Sequence, residues 1–272
     1  MAIHPTAIID PLAALGDVEI GPYCVVGPGV TLLDGVVLKS HVVVEGETTV
    51  GKGTIVHSFA VIGGDPQDLK YSGEPTRLVI GTNNTFREYA TCNRGTVGGG
   101  GVTTIGDDNL FMASSHVGHD CVVGSGCVLA NSAALAGHVV LGDNVVMGGL
   151  SGVHQHTRVG KMAMIGAGAK VVQDVPPFMT AQGDRARLFG VNVIGLRRAG
   201  YSKDTIEAVR GAYRMLFEST VPFREGVEQL SRQMESEEVE HPLSLISEFL
   251  SVRSKRGVCR GRPDPKARPV NE

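Results

Sequence analysis

The chain has no tryptophan, and aromatic residues make up only 5% of it. A core must therefore be built from Val, Ile, Leu and Ala, which suits a narrow prism better than a thick globule. No run of about 18 apolar residues occurs, so no membrane span is expected. The amino terminus, Met1-Ala2-Ile3-His4-Pro5, has neither a basic nor an apolar region, so no secretory signal is read. The cysteines number five, with no CxxC spacing. They read as small buried hydrophobes rather than disulfides or metal ligands, and a reducing cytoplasm is expected. Strong charge is missing too. A formal net charge of −3 gives no reason to expect nucleic acid as a partner.

What is abundant is glycine, 37 residues, within a chain that is 42% hydrophobic, which excludes a disordered Gly-rich polymer. The apolar residues keep a six-residue clock. Ile105, Phe111, Val117, Val123, Leu129, Leu135, Leu141, Met147, Val153, Val159, Ile165 and Val171 each lie six residues apart. Four residues after each stands a small or short side chain, among them Cys121, Cys127, Ala133, Ala163 and Ala169. The same clock runs through Ile3, Ile9 and Leu15, loses one residue near Asp17–Glu19, and resumes from Ile20 to Ile62. Self-similarity at this period predicts a β-helix. Three hexads make a triangular coil of about 18 residues, and coils stack at roughly 4.8 Å, giving a prism about 40 Å long.

Two stretches break the clock. One, at about 63–78, carries Asp65-Pro66-Gln67-Asp68-Leu69-Lys70-Tyr71-Ser72-Gly73-Glu74-Pro75; the other, at about 98–104, opens on four consecutive glycines. Insertions of this kind gather on one face of a solenoid, often the binding face. After Asp174-Val175-Pro176-Pro177 the period turns helical, with Ser202 as an N-cap and segments at about 202–217, 224–237 and after Pro242. The expected organisation is a mainly β prism over 1–190 and a small α-helical domain over 191–252. A basic tail over 253–272, three prolines and no periodic face, is expected to be disordered.

Placing the histidines on the coil is informative. Adding 18 and 36 to position 119 gives 137 and 155, so His119, His138 and the pair His154/His156 fall within one residue of a column, with His116 on the neighbouring corner. Three readings stand open: solvated corner histidines, an imidazole general base, or a zinc site in which His116, His119 and His138 supply three ligands, as in carbonic anhydrases built on this kind of helix.

The loops and corners carry more than the clock does. Ser115-His116-Val117-Gly118-His119-Asp120-Cys121, Leu129-Ala130-Asn131, Leu135-Ala136-Gly137-His138-Val139 and Val153-His154-Gln155 resemble the core of the acyl-carrier-protein–UDP-N-acetylglucosamine O-acyltransferase family. So do Gln67 to Arg77, Asn93-Arg94-Gly95-Thr96-Val97, Gln173 to Pro177 and Phe189-Gly190-Val191-Asn192. The resemblance runs from about His4 to Phe217 and leaves the tail beyond about Phe249 uncovered.

That resemblance implies a left-handed parallel β-helix, a homotrimer with sites between subunits, and a cytoplasmic enzyme of a Gram-negative bacterium that begins lipid A synthesis. It implies that His119 deprotonates the 3-position of UDP-N-acetylglucosamine, which attacks an R-3-hydroxyacyl thioester on acyl carrier protein, while the Gly137 N–H holds the oxyanion. No cofactor and no metal are implied. Asp120 would orient the imidazole, although neighbours on an extended strand point apart. Gln67, Asp68, Lys70, His116, His138, His154 and Gln155 match sugar- or acyl-contacting positions, and Asn192 and Arg198 positions holding uridine and diphosphate. The family often has two basic residues and then Gly where this chain has Arg198-Ala199-Gly200. Ala167 stands at the groove-closing position, commonly Gly where long chains are used, so a medium-length acyl chain is expected. Arg185, Arg187, Arg197, Lys203, Arg210 and Arg214 would dock the acidic carrier. The related N-acyltransferase would carry a further domain ahead of the hexads, which here begin at Ile3; a 3-amino sugar acceptor stays open.

Overall fold

The computed structural model describes residues 1–234 and 241–261. Two-residue strands alternate with tight corners, and each strand pairs in parallel with the strand one coil on: His116 with Ala134, Ala134 with Gly152, Gly152 with Lys170. Three sheets result. The first starts at Ala2–Ile3, the second at Ile8–Ile9 and the third at Ala14–Leu15, and every third strand returns to the same sheet.

With strands this short, one residue of each faces in and the other out. The clock residues are the inward ones: Ile105, Phe111, Val117, Leu129, Leu135 and Val153 are all at most 3% exposed. The short side chains four residues later also turn inward, where the corner narrows the prism, and Cys121, Cys127 and Ala133 are fully buried. Inward polar residues replace them in places and bond along the stack. Asn84 Nδ2 donates to Gly106 O (2.8 Å) and Thr82 O (3.2 Å), its Oδ1 accepts from Asn109 N (3.0 Å), and Asn109 Oδ1 accepts from Cys127 N (2.7 Å). Removing Asn84 would strand the Asn109 N–H and the Gly106 carbonyl in a fully buried corner. Asn84→Ala is therefore expected to destabilise the prism by about 2 kcal/mol or more, read as a lowered melting temperature; a melting curve unchanged from the parent would show the ladder to be dispensable.

The first interruption is shorter than its sequence bounds, and the second lies earlier than its own. The first strand pair resumes at Arg77–Ile80, leaving 65–76 as the first loop; the second loop spans 94–101, because Val102–Ile105 is already strand in register with Arg77–Ile80. Val102 to Thr104 thus belong to the sheet. Arg94 ties the loops together, its guanidinium donating to Gly63 O, to the Asp65 carboxylate and to Tyr71 Oη (3.1 Å).

At the far end Met179–Gln182 joins the first sheet and turns back as an antiparallel hairpin with Arg187–Val191. Among the described residues four helices follow: α1 (Val193–Arg198), α2 (Lys203–Phe217), α3 (Phe223–Met234) and α4 (Pro242–Ser251). The short α1 is an addition to the three expected, and the part of the second expected segment beyond Met234 lies outside the described residues. Ser202 caps α2 by accepting from Thr205 N (3.1 Å).

The basic tail needs a correction over its first part. Residues 252–261 return to the base of the prism, where Asp174 N donates to Gly257 O, Cys259 N to Asp174 O and Leu188 N to Arg260 O, at 2.8–2.9 Å. Cys259 is 1% exposed, and burial pushes its thiol up to about 12. Arg158 stitches the clasp, its Nε 2.8 Å from Asp174 Oδ2 and its guanidinium 4.4 Å over the Phe249 ring. Backbone pairing, which needs no side-chain period, is what orders this segment. Residues 262–272 lie outside the described residues. Among the described residues, no helix is long and apolar enough to cross a membrane.

Candidate active site

The histidine band lies on the edge between the second and third sheets. Register separates it into columns one coil apart. His119, Gly137 and Gln155 stand in one; Asp120, His138 and His156 stand in the next, all three with left-handed backbone (φ 59°, 61° and 63°). His138 and His156 stack at 4.4 Å between ring centroids, and the His119 ring meets His138 edge-on at 5.1 Å. His154 occupies the column on the other side and turns its Nδ1 toward Gln155 O (3.2 Å). Of the pair His154/His156, it is thus His156, to which no substrate contact was assigned, that extends the column, 36 residues after Asp120.

Asp120 does not point away from His119. The left-handed turn brings its carboxylate round, and Oδ2 lies 2.7 Å from His119 Nδ1. The Asp120 side chain is fully buried and that of His119 is 14% exposed. Thr96 N donates to Asp120 Oδ1 and Thr96 Oγ1 to Oδ2, both at 2.7 Å. Asp120 is an acceptor in every one of these contacts, so the His119 proton sits on Nδ1 and Nε2 carries the lone pair. Gly137 packs against that ring: a Cβ there would fall 2.5 Å from His119 Nε2 and Cε1.

Burial lowers His116 from its ordinary value, and the adjacent His119 lowers it further. Burial also lowers His138, the Asp120 carboxylate opposing it, and lowers His156, helped by the neighbouring His138. Those three imidazoles are therefore biased toward the neutral form, which suits hydrogen bonding to an uncharged group.

His119, Asp120 and His138 bring three potential metal-ligand atoms within 4.8 Å of one another. His116 is outside that group, its Nδ1 bonded to Thr91 Oγ1 (2.8 Å). The zinc set of His116, His119 and His138 is thus not assembled. Of the atoms that are close, His119 Nδ1 and both Asp120 oxygens already serve one another and Thr96, so a resident cation would have to break those bonds.

A cleft of about 400 Å³ opens beside the band, lined by Asp68, Lys70, Tyr71 and Glu74 from the first loop, Thr96, Val97 and Gly98 from the second, and His138 and His156. Asp68 also folds its own loop, accepting from Lys70 N (3.0 Å). Gln67 is exposed and outside the cleft lining.

The remaining sequence-predicted residues are on other edges. Asn192 and Arg198 line a second cleft of about 550 Å³ with Gly126, Asn144 and Met162, along the edge between the third and first sheets. Asn192 caps α1, accepting from Gly195 N (3.0 Å), and donates to Met162 O (2.9 Å), so it fastens the helical domain to the prism. Ala167 is exposed on the third edge, between the first and second sheets. Arg185, Arg187, Arg197 and Lys203 are exposed near the base, whereas Arg210 is paired with Glu207 at 2.6 Å. One chain therefore spreads the predicted contacts over all three edges.

Comparison with known proteins joins these features. Residues 174–259 match a family model described as UDP N-acetylglucosamine O-acyltransferase, domain 2, and residues 103–137 one described as bacterial transferase hexapeptide, six repeats. The first match carries past Phe249 into the clasped segment. The acyl-[acyl-carrier-protein]–UDP-N-acetylglucosamine O-acyltransferase of Myxococcus xanthus is 49% identical over 260 residues, covering 95% of this chain and 99% of that protein. Among solved structures, the UDP-N-acetylglucosamine O-acyltransferase of Moraxella catarrhalis is 44% identical, with a TM-score of 0.89 and coverage of 96% and 100% of the two chains. The UDP-N-acetylglucosamine acyltransferase of Francisella novicida is 34% identical, with a TM-score of 0.91 and coverage of 97% and 95%. The prism described above is a left-handed β-helix like theirs.

Proposed function

Because the chain belongs to the UDP-N-acetylglucosamine O-acyltransferase family, and transfers an acyl chain from acyl carrier protein to UDP-N-acetylglucosamine in lipid A synthesis, we propose that His119 is the general base of that transfer. The observation that supports this reading is the 2.7 Å contact between His119 Nδ1 and Asp120, which leaves Nε2 as the basic atom. Nε2 takes the proton of the sugar 3-hydroxyl as its oxygen attacks the thioester carbonyl of an R-3-hydroxyacyl chain. An alcohol at neutral pH is a poor nucleophile, and a positioned base is worth about 10²–10⁴-fold. The carbonyl oxygen becomes an oxyanion within reach of Gly137 N–H, which has no acceptor among the described residues. Collapse breaks the carbon–sulfur bond, and the departing thiolate takes the proton back from His119. Transfer is direct, so no acyl-enzyme forms.

The other groups fit a site completed between copies. Asp68, Lys70 and His138 border the His119 edge, with His116 and Gln155 on the coils, while Asn192 and Arg198 sit on another edge. In a cyclic trimer of prisms, unlike edges of neighbouring subunits face each other, so the second cleft of one chain meets the histidine edge of the next. Surface that a monomer would leave wet argues the same way: Tyr23, His41, Phe59 and Tyr89 form an exposed stack along one edge, with centroids 4.9–5.2 Å apart. In this arrangement Arg198 takes the diphosphate and Ala167 floors the acyl groove, with the exposed Arg185, Arg187, Arg197 and Lys203 meeting the acidic carrier in the cytoplasm.

Mass spectrometry of the product from UDP-N-acetylglucosamine and mixed 3-hydroxyacyl carrier thioesters tests this reading. A medium-length 3-O-acyl product is expected, and Ala167→Gly should move the preference to longer chains by about tenfold. If the unmodified protein already prefers the longest chain, Ala167 is no ruler. If no acylated sugar nucleotide forms, the assignment fails altogether.

A further inference from the structure

We propose that Thr96 is a positioning residue for the acyl transfer, fixing the plane of the Asp120 carboxylate and through it the His119 ring. The proposal rests on His119 acting as the base. A carboxylate held at one oxygen can still swing about its bond to Cβ; held at both, it cannot. Thr96 holds both oxygens, Oδ1 by its backbone N–H and Oδ2 by its hydroxyl. The remaining direction at Oδ2 is then aimed at His119 Nδ1.

The direction of the Thr96 hydroxyl is itself set. Its oxygen accepts from Gly99 N (3.2 Å) as Thr96 caps the single 3₁₀ turn Val97–Gly99, which leaves its proton for Asp120. Gly101 N closes the loop by donating to Thr96 O (2.8 Å), and Asp120 N donates in turn to Thr103 Oγ1 (2.8 Å), holding the left-handed turn. Gly99 lies against the carboxylate so closely that a Cβ would fall 2.0 Å from its Cγ. The second loop is thus moulded on Asp120, and Thr96, 8% exposed, spends its hydroxyl on that contact and not on substrate.

A threonine that merely folded its loop would shift stability or KM, not the titration of the base. The groups facing His119 are Asp120, His116 and His138, with Asp68 and Lys255 acting on His138 from beyond. Thr96→Val leaves all of these side chains in place, and of them only Asp120 loses a contact. That variant removes one donor from Asp120, so the carboxylate's charge is less offset and holds the proton on His119 more firmly.

The experiment measures kcat and KM from about pH 5.5 to 9 for Thr96→Val, Thr96→Ser and His119→Ala, with a melting curve for each. Expected for Thr96→Val is a kcat about tenfold lower with KM unchanged, and an acidic limb of kcat displaced to higher pH. Thr96→Ser, which keeps the hydroxyl, should restore both. An acidic limb that does not move upward, or a Ser variant no better than Val, overturns the proposal. Should His119→Ala remain active, it is the assignment of the base that fails; should His119→Ala be dead and Thr96→Val unaffected, only the role of Thr96 fails.

Discussion

His119→Ala should lower kcat by about 10²–10⁴-fold, the range that a positioned general base supplies, with KM and melting temperature close to those of the parent. The separation follows from what the imidazole touches. Its Nδ1 is bonded to Asp120, but both carboxylate oxygens keep their Thr96 donors when the ring is gone, so no buried charge is orphaned. Asp120 N remains bonded to Thr103, so the corner keeps its turn. The oxyanion donor at Gly137 and the two clefts are also untouched, and the activity that survives reports their share of the catalysis. In the parent, protonating the base should give kcat an acidic limb; in the variant that limb should vanish. Full activity in His119→Ala, or a limb that persists, would remove His119 from the chemistry.

How much of this could be read in the sequence differs between scaffold and site. A six-residue spacing of inward aliphatics leaves little choice of fold, since a two-residue strand and a corner use up each hexad. The same regularity let position 119 be projected onto 137 and 155, one coil and two coils on. What spacing could not reveal was backbone handedness at a corner. Asp120 reaches His119 only because its φ is 59°, and an aspartate adopts that conformation with little cost. Nor could it reveal Thr96, whose contact crosses 24 residues from a loop outside the repeat. The clasp at 252–261 escaped for another reason: it is held by main-chain bonds and one buried cysteine, and neither leaves a period. Residues assigned to one site by resemblance, His119, Asn192 and Ala167, lie on three different edges, because a repeat fixes an address on one prism and says nothing of which edges meet between prisms.

Gly137→Ala should be nearly as damaging as loss of the base, although it adds a single methyl. The new Cβ would stand 2.5 Å from His119 Nε2 and Cε1 and 3.0 Å from Nδ1, so the whole edge of the ring is in its way. Backbone strain does not enter, since no left-handed φ is required of Gly137. The ring must therefore rotate, with His138 edge-on at 5.1 Å on one side, and the bond to Asp120 is given up. A misplacement of about 1 Å at a reacting group costs on the order of 10²-fold, and a fall in kcat of that size is expected with the melting temperature little changed. The N–H of residue 137 survives the substitution, so the loss belongs to the base and not to the oxyanion donor. The pair of variants decides between them. In the His119→Ala background there is no ring to displace, and adding Gly137→Ala should cost almost nothing further, a strongly non-additive cycle. If instead the second substitution lowers the residual rate by its full factor again, the methyl is disturbing oxyanion geometry, and the close packing of Gly137 on His119 is not what its small size is for.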